Sequence, residues 1–144
     1  MLRIAVVDDL PAILSLYRQL QPDDQELDHG LGEERFGEIQ NLPNVELYVL
    51  EQTEQVVATA YLNVVPNLTR QAAPYAFIEN VVVDEQCRRS GLGRLMVQAV
   101  IDRAWELGCY KVMLMSGREE PEVRDFYLAC GFDGDSKAAF VIKP

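Results

Sequence analysis

Residues 88–94, Arg88-Arg89-Ser90-Gly91-Leu92-Gly93-Arg94, constrain this chain most, because of what flanks them. Upstream lies an apolar, β-rich run over residues 76–83 that ends in Val81, Val82 and Val83. Downstream, Leu92, Leu95, Met96, Ala99, Val100, Ala104 and Leu107 recur at helical spacing until Gly108. A strand therefore runs through a glycine-bearing turn into the N-terminus of a helix. Such a turn presents unpaired backbone N–H groups at the positive end of a helix dipole. Glycine lets the backbone approach an anion closely, and arginine adds charge and bidentate donors. The stretch reads as a cradle for phosphate or pyrophosphate.

Two familiar cradles are excluded by their spacing. The dinucleotide pattern G-x-G-x-x-G needs glycine where Met96 stands, and the chain has no Gly-Lys pair for a P-loop. What is present is R-x-x-G-x-G, made by Arg88, Gly91 and Gly93, after a strand ending in Val-Val-Val-Asp. This resembles the pyrophosphate loop of the GNAT superfamily, the acyl-CoA-dependent N-acyltransferases. Further on, Phe126-Tyr127-Leu128-Ala129-Cys130-Gly131-Phe132 is similar to the F-Y-x-x-x-G-F segment that closes the same family's fold. The two matches stand in the family's order, and motif-level likeness is confined to residues 76–132.

Alternating elements surround these motifs. Residues 3–7 read as a strand, and Asp8 or Asp9 as the cap of a helix with Pro11 in its first turn and Ile13, Leu14 and Tyr17 on one face. A second helix is expected over about 31–40. Strands are expected at 45–51 and 55–65, joined by a short polar turn at residues 52–54, and the latter pairs antiparallel with 75–83. After the helix at 91–107 come a buried strand at 111–116, a helix with Pro121 near its start and Gly131 at its end, and a last strand at 138–142. The expected class is α+β in one domain over 1–144. Its centre is a mostly antiparallel twisted sheet of six to seven strands, flanked by about four helices.

Composition narrows the partners. Thirteen Lys and Arg against 23 Asp and Glu give a net charge of −10, which argues against nucleic acid or an anionic membrane. Seven acids stand between residues 21 and 40 (Asp23, Asp24, Glu26, Asp28, Glu33, Glu34 and Glu38) against Arg35 alone. They form either a solvated helical face or a negative rim that attracts a cationic amine. Cys87, Cys109 and Cys130 lack metal-ligand spacing and read as reduced thiols of a cytoplasmic protein, and no metal is expected. No apolar run approaches a membrane span, and the first residues lack the form of a signal peptide.

The opening Arg3-Ile4-Ala5-Val6-Val7-Asp8-Asp9 also looks like the start of a response-regulator receiver domain. Such a domain needs a phosphoacceptor Asp at the end of its third strand. Residues 45–54 contain no Asp, and residues 45–83 read as consecutive strands rather than as strand, helix, strand.

The family resemblance implies acetyl-CoA as donor and a primary amine of a small molecule or peptide as acceptor. It places the pyrophosphate on Arg88, Arg89, Ser90, Gly91, Leu92, Gly93 and Arg94, and the pantetheine arm on the backbone of Val81, Val82 and Val83. Tyr127 occupies the position that supplies the general acid in many members. A phenol of pKa ~10 can protonate a departing thiolate whose own pKa lies near ~8.5. Glu79, an acid inside an otherwise apolar strand, is the candidate base that takes the ammonium proton, with Asn80 able to orient a water. The family often carries an Asn near the start of the 121–130 helix that touches the cofactor. This chain has Ser116-Gly117-Arg118-Glu119-Glu120-Pro121 there, and Arg118 is not assigned that contact. Direct transfer is expected, since Cys87 and Cys130 both have structural explanations, and His29 reads as a surface residue. A non-catalytic acyl-CoA-binding module on the same fold is the alternative, and a homodimer is left open.

Overall fold

The computed structural model describes residues 1–117 and 120–144. Arg118, whose cofactor contact comes into question from the sequence, and Glu119 lie outside the described residues. The elements run β1 (Leu2–Ile4), α1 (Leu10–Leu20), α2 (His29–Asn41), β2 (Val45–Gln52), β3 (Gln55–Val65), β4 (Tyr75–Val83), α3 (Leu92–Glu106), β5 (Val112–Met113) and α4 (Pro121–Ala129). The sheet has the order β1-β2-β3-β4-β5, antiparallel except for the parallel β4–β5 pair. This is the expected mixed α+β architecture, with one correction: the described sheet has five strands, not six to seven. Residues 138–142 form no strand, and β5 keeps only two of the six residues foreseen for it.

The β2–β3 hairpin is closed by Thr53 and Glu54, both at positive φ (48° and 63°), the twist that a two-residue hairpin turn requires. Alternation along β2 then divides the core. Leu47 and Val49 face Leu10, Ile13 and Phe36 of the α1–α2 side. Tyr48 and Leu50 face Met96, Val97, Val100 and Ala104 of α3. Those α3 residues recur at three and four, the spacing that buries one stripe of a helix.

Two irregularities matter for the site. Opposite Ala60, β4 carries two residues, Asn80 and Val81, because Thr59 pairs with Val82 and Tyr61 with Glu79. This is a β-bulge, and Asn80 adopts the left-handed φ of 50° within it. The β4–β5 ladder, in turn, consists of Ala76 with Val112 and Phe77 with Met113. From Ile78 onward the two strands diverge.

Asp9 stands at the start of α1 but does not cap it with its side chain. Its carboxylate turns back instead, accepting from Val6 N–H (2.8 Å) and from both terminal nitrogens of Arg3 (2.6 and 2.9 Å), while Arg3 also reaches Glu51. The Arg3 hydrogen bonds, opposed by partial burial, hold the Asp9 carboxyl below its ordinary value of 3.8. Stability from this group is therefore full above that value and lost as pH falls through the lower folded one. Asp9→Asn should cost about 2 kcal/mol at pH 7, read as a lower urea midpoint. The difference from the wild type should shrink toward pH 3.

Candidate functional site

The divergence of β4 from β5 opens a cleft of about 1100 Å³. One wall is residues 78–83 of β4, the other Leu114, Met115, Ser116 and Gly117, which continue β5. The floor is Phe126, Tyr127 and Val123 of α4, and the loop residues Arg88, Arg89, Gly91, Gly93 and Arg94 close one end. Leu20 and Gln21, where α1 gives way to the acidic segment, form part of the rim.

The loop has a geometry that can receive an anion. Gly91 precedes α3 with φ 85°, which turns the chain so that α3 begins at Leu92. A Cβ there would meet nothing within 4 Å, so glycine is demanded by the backbone angle alone. Gly93 is different: a Cβ would lie 3.3 Å from the Phe126 ring and from Val83, so its smallness lets α3 sit against β4 and α4. Arg88, Arg89 and Arg94 are exposed, and the Arg88 Nε donates to the carbonyl of Val83 at 3.3 Å. Two residues of the cradle point away from the cleft. The Ser90 hydroxyl donates to the Cys87 carbonyl, and Leu92 packs into the core beside α3. Their contribution to a bound anion would come from their N–H groups.

A diphosphate fits this end by charge and by the orientation of the helix start. The β4 wall fits an arm bearing amides, because its β5-facing edge leaves the ladder after Phe77. Among the described residues, no group of three or more His, Cys, Asp and Glu side chains is arranged to hold a metal ion.

Tyr127 is brought to the cleft together with Glu79. The Tyr127 ring stands edge-on between Phe126 (centroids 5.0 Å apart) and Phe132 (6.0 Å), which fixes its plane. Glu79 is half-buried and lies opposite Tyr61 on β3. Beside it, Asn80 reaches toward the Tyr17 phenol on α1, whose pKa burial pushes up to about 12 against the lowering effect of hydrogen bonds with Asn80 and Thr59. Burial also raises the Cys130 thiol, with Arg94 acting in the opposite sense. His29 is exposed in the first turn of α2, 3.7 Å from Glu33, away from the cleft.

A clip that the sequence did not reveal joins the two sides of the site. Gln19 of α1 donates to Asp84 (3.2 Å) and accepts from the Glu85 N–H (2.9 Å), while Asp84 also accepts from the Gln86 N–H (2.9 Å). The turn that leads into the loop is thereby fastened to the helix that leads to the acidic segment. Gln19 and Asp84 are 65 residues apart, so no local pattern marks the pair.

Fold and cleft together have the form of an acyltransferase: a splayed β4–β5 pair, a bulged β4 and a glycine-bearing, arginine-rich loop at the start of α3. The sequence pattern of the acetyltransferase (GNAT) family matches residues 11–132, and the chain belongs to that family. It is 44% identical to a putative acetyltransferase from Agrobacterium tumefaciens, with a TM-score of 0.96 over 100% of this chain and 99% of that one. Among curated relatives, a probable glucosamine 6-phosphate N-acetyltransferase 2 of Oryza sativa is 38% identical over 78 residues, covering 54% of this chain and 45% of the relative. Glucosamine 6-phosphate N-acetyltransferase 1 of the same plant is 29% identical over 132 residues, 90% of this chain and 78% of that protein. The first of these matches thus spans less than half of its relative's length.

Proposed function

We propose that residues 1–144 act as one N-acetyltransferase domain that moves an acetyl group from acetyl-CoA directly to the primary amine of a small molecule or peptide. The observation that carries this reading is the convergence of the cradle, the β4 edge, Glu79 and Tyr127 on one cleft. When bound, the thioester supplies an activated acyl carbon. The chain's part is to hold it and to manage two protons. Gly91 and the N–H groups of 89–94 anchor the diphosphate, with Arg88, Arg89 and Arg94 neutralising its charge. Backbone groups of Val81, Val82 and Val83 hold the pantetheine amides in line. Glu79, directly or through a water that Asn80 orients, takes the proton of the acceptor ammonium, because only the free amine has a lone pair to attack with. The Tyr127 hydroxyl delivers a proton to the departing sulfur. Thermal stabilisation by acetyl-CoA without turnover of any amine would instead identify an acyl-CoA-binding module.

The curated relatives point to an amino sugar as acceptor. The rim of this chain favours a cation: the acidic segment begins at Gln21 on the cleft edge, and Glu79, Glu120 and Glu122 also line it. We infer that an unphosphorylated, positively charged amine is preferred. With acetyl-CoA and thiol release as readout, glucosamine and a polyamine should give higher kcat/KM than glucosamine 6-phosphate. The rate with the cation should fall as salt rises, since long-range attraction is screened over ~8 Å at physiological ionic strength. A higher kcat/KM for glucosamine 6-phosphate would assign this chain the acceptor named for its relatives and leave the acidic segment a solubility feature.

A further inference from the structure

The loop that leads into α3 carries its N–H groups on a strained backbone. Arg89 and Gly91 are both left-handed, with φ of 61° and 85°. For Arg89, which has a Cβ, that conformation persists only where the surroundings over-determine it. Downstream, the loop is anchored by α3 and by the close approach of Gly93 to Phe126 and Val83. Upstream, the anchor is the turn at residues 84–87. Its own bonds run from the Asp84 N–H to the Val57 carbonyl of β3 and from the Cys87 N–H to the Asp84 carbonyl, both 2.8 Å. The Glu85 N–H is held from α1, by the Gln19 carbonyl oxygen at 2.9 Å, while the Gln19 nitrogen donates to the Asp84 carboxylate at 3.2 Å. One amide thus engages both sides of the turn. Reversed, it would set donor against donor and acceptor against acceptor. Two residues earlier on α1, the Tyr17 phenol shares hydrogen bonds with Thr59 and with Asn80 of the bulge. The polar ties of α1 therefore fall at both ends of Val81–Val83, at Asn80 before and Asp84 after.

We propose that Gln19 is a positioning residue for the donor: acting through Asp84 and Glu85, it holds the turn and the loop beyond it in the conformation that receives the diphosphate of acetyl-CoA. Gln19 does not line the cleft, so it touches neither the donor nor the reacting atoms. The inference rests on the donor site proposed above. Without the clip, the turn keeps its bonds to β3 and within itself but loses its tie to α1. The loop then samples conformations that do not bind, and apparent affinity falls in proportion to the competent fraction. A fraction reduced to between about a tenth and a third would weaken binding by about three- to tenfold. Once donor is bound the loop is in place, so kcat at saturating acetyl-CoA should be unchanged.

Calorimetry with CoA itself tests this without any acceptor. Gln19→Leu, which removes both bonds at similar volume, should raise the CoA Kd by that factor, with the acetyl-CoA KM rising alike. Gln19→Glu keeps the acceptor for the Glu85 N–H but sets a second carboxylate against that of Asp84. At pH 8 it should weaken CoA at least as much as Gln19→Leu. Two carboxylates this close cannot both stay ionised as pH falls toward about 5, and the shared proton restores a donor toward Asp84. Relative to the unmodified chain at the same pH, the Gln19→Glu Kd should then return toward parity, while the Gln19→Leu ratio stays flat. In the absence of CoA, exchange of the Glu85 amide proton should be several-fold faster in Gln19→Leu, and that of Asp84, bonded to β3, unchanged. An unaltered CoA Kd in Gln19→Leu would overturn the proposal and leave the donor site standing. So would a Gln19→Glu ratio that does not move with pH, or a Glu85 amide as protected as before. No CoA binding by the unmodified chain would remove the donor site itself, and this role with it.

Discussion

Tyr127→Phe is expected to lower kcat by about 10²–10⁴-fold, a loss of roughly 3–5 kcal/mol at the transition state, while acetyl-CoA affinity stays nearly constant. The separation follows from how the side chain is held. Its ring is fixed between Phe126 and Phe132, and phenylalanine keeps that packing. Only the hydroxyl is removed, and with it the proposed proton for the leaving sulfur. Glu79→Gln acts at the other end of the reaction and should be partly rescued at high pH, where more of the acceptor is already the free amine. Tyr127→Phe should show no such rescue, since raising pH supplies no proton donor. Full activity of Tyr127→Phe on a verified amine would reduce Tyr127 to packing, and full activity of both variants would remove both proposed roles.

Gly91→Val should abolish acetyl-CoA binding at concentrations that saturate the unmodified chain. At a hundredfold excess over the dissociation constant, the unmodified chain should gain ~2.7 kcal/mol and a matching rise in Tm. The added Cβ itself meets nothing within 4 Å. Its cost is the φ of 85°, which a β-branched residue resists by about 1–3 kcal/mol. Relaxing that angle would swing the N–H groups at the start of α3 away from the position proposed for the diphosphate. Gly93→Val tests a different property: its Cβ meets Phe126 and Val83, so the apo protein should also lose stability. An unaltered thermal shift in Gly91→Val would mean that the loop amides do not hold the donor. No shift in the unmodified chain would remove the cofactor site.

What the sequence made legible was whatever is encoded locally. The α3 stripe, the β2–β3 hairpin and the strand-turn-helix around Gly91 each announce themselves within about fifteen residues of chain, and all are present. Residue type, motif and, for Val81, Val82 and Val83, family resemblance mark these together with Glu79, Arg88, Arg89, Gly91, Gly93, Arg94 and Tyr127, and all line one cleft. The misses all concern where a side chain or edge finds its partner. Asp9 carries the signature of a helix cap, but Arg3 and the Val6 N–H compete for its carboxylate and win. Residues 138–142 have β propensity, but a strand exists only against an edge, which propensity does not locate. The Gln19 clip depends on two segments meeting in space.

The bulge at Asn80 makes the cleft a matter of counting. Before it, Ala76 and Ile78 face the α3 side of the sheet; after it, Val81 and Val83 do. The strand changes parity in mid-course, even numbers giving way to odd. Because of that switch, Glu79 and Val82 look toward the α1 side while Val83 packs beneath the start of α3. Deleting Asn80 alone would restore an even ladder and invert the faces of one half of the strand relative to the other. Substitutions at position 80 should therefore be far better tolerated than the loss of the position itself, whose length, more than its identity, keeps the two halves of the cleft in phase.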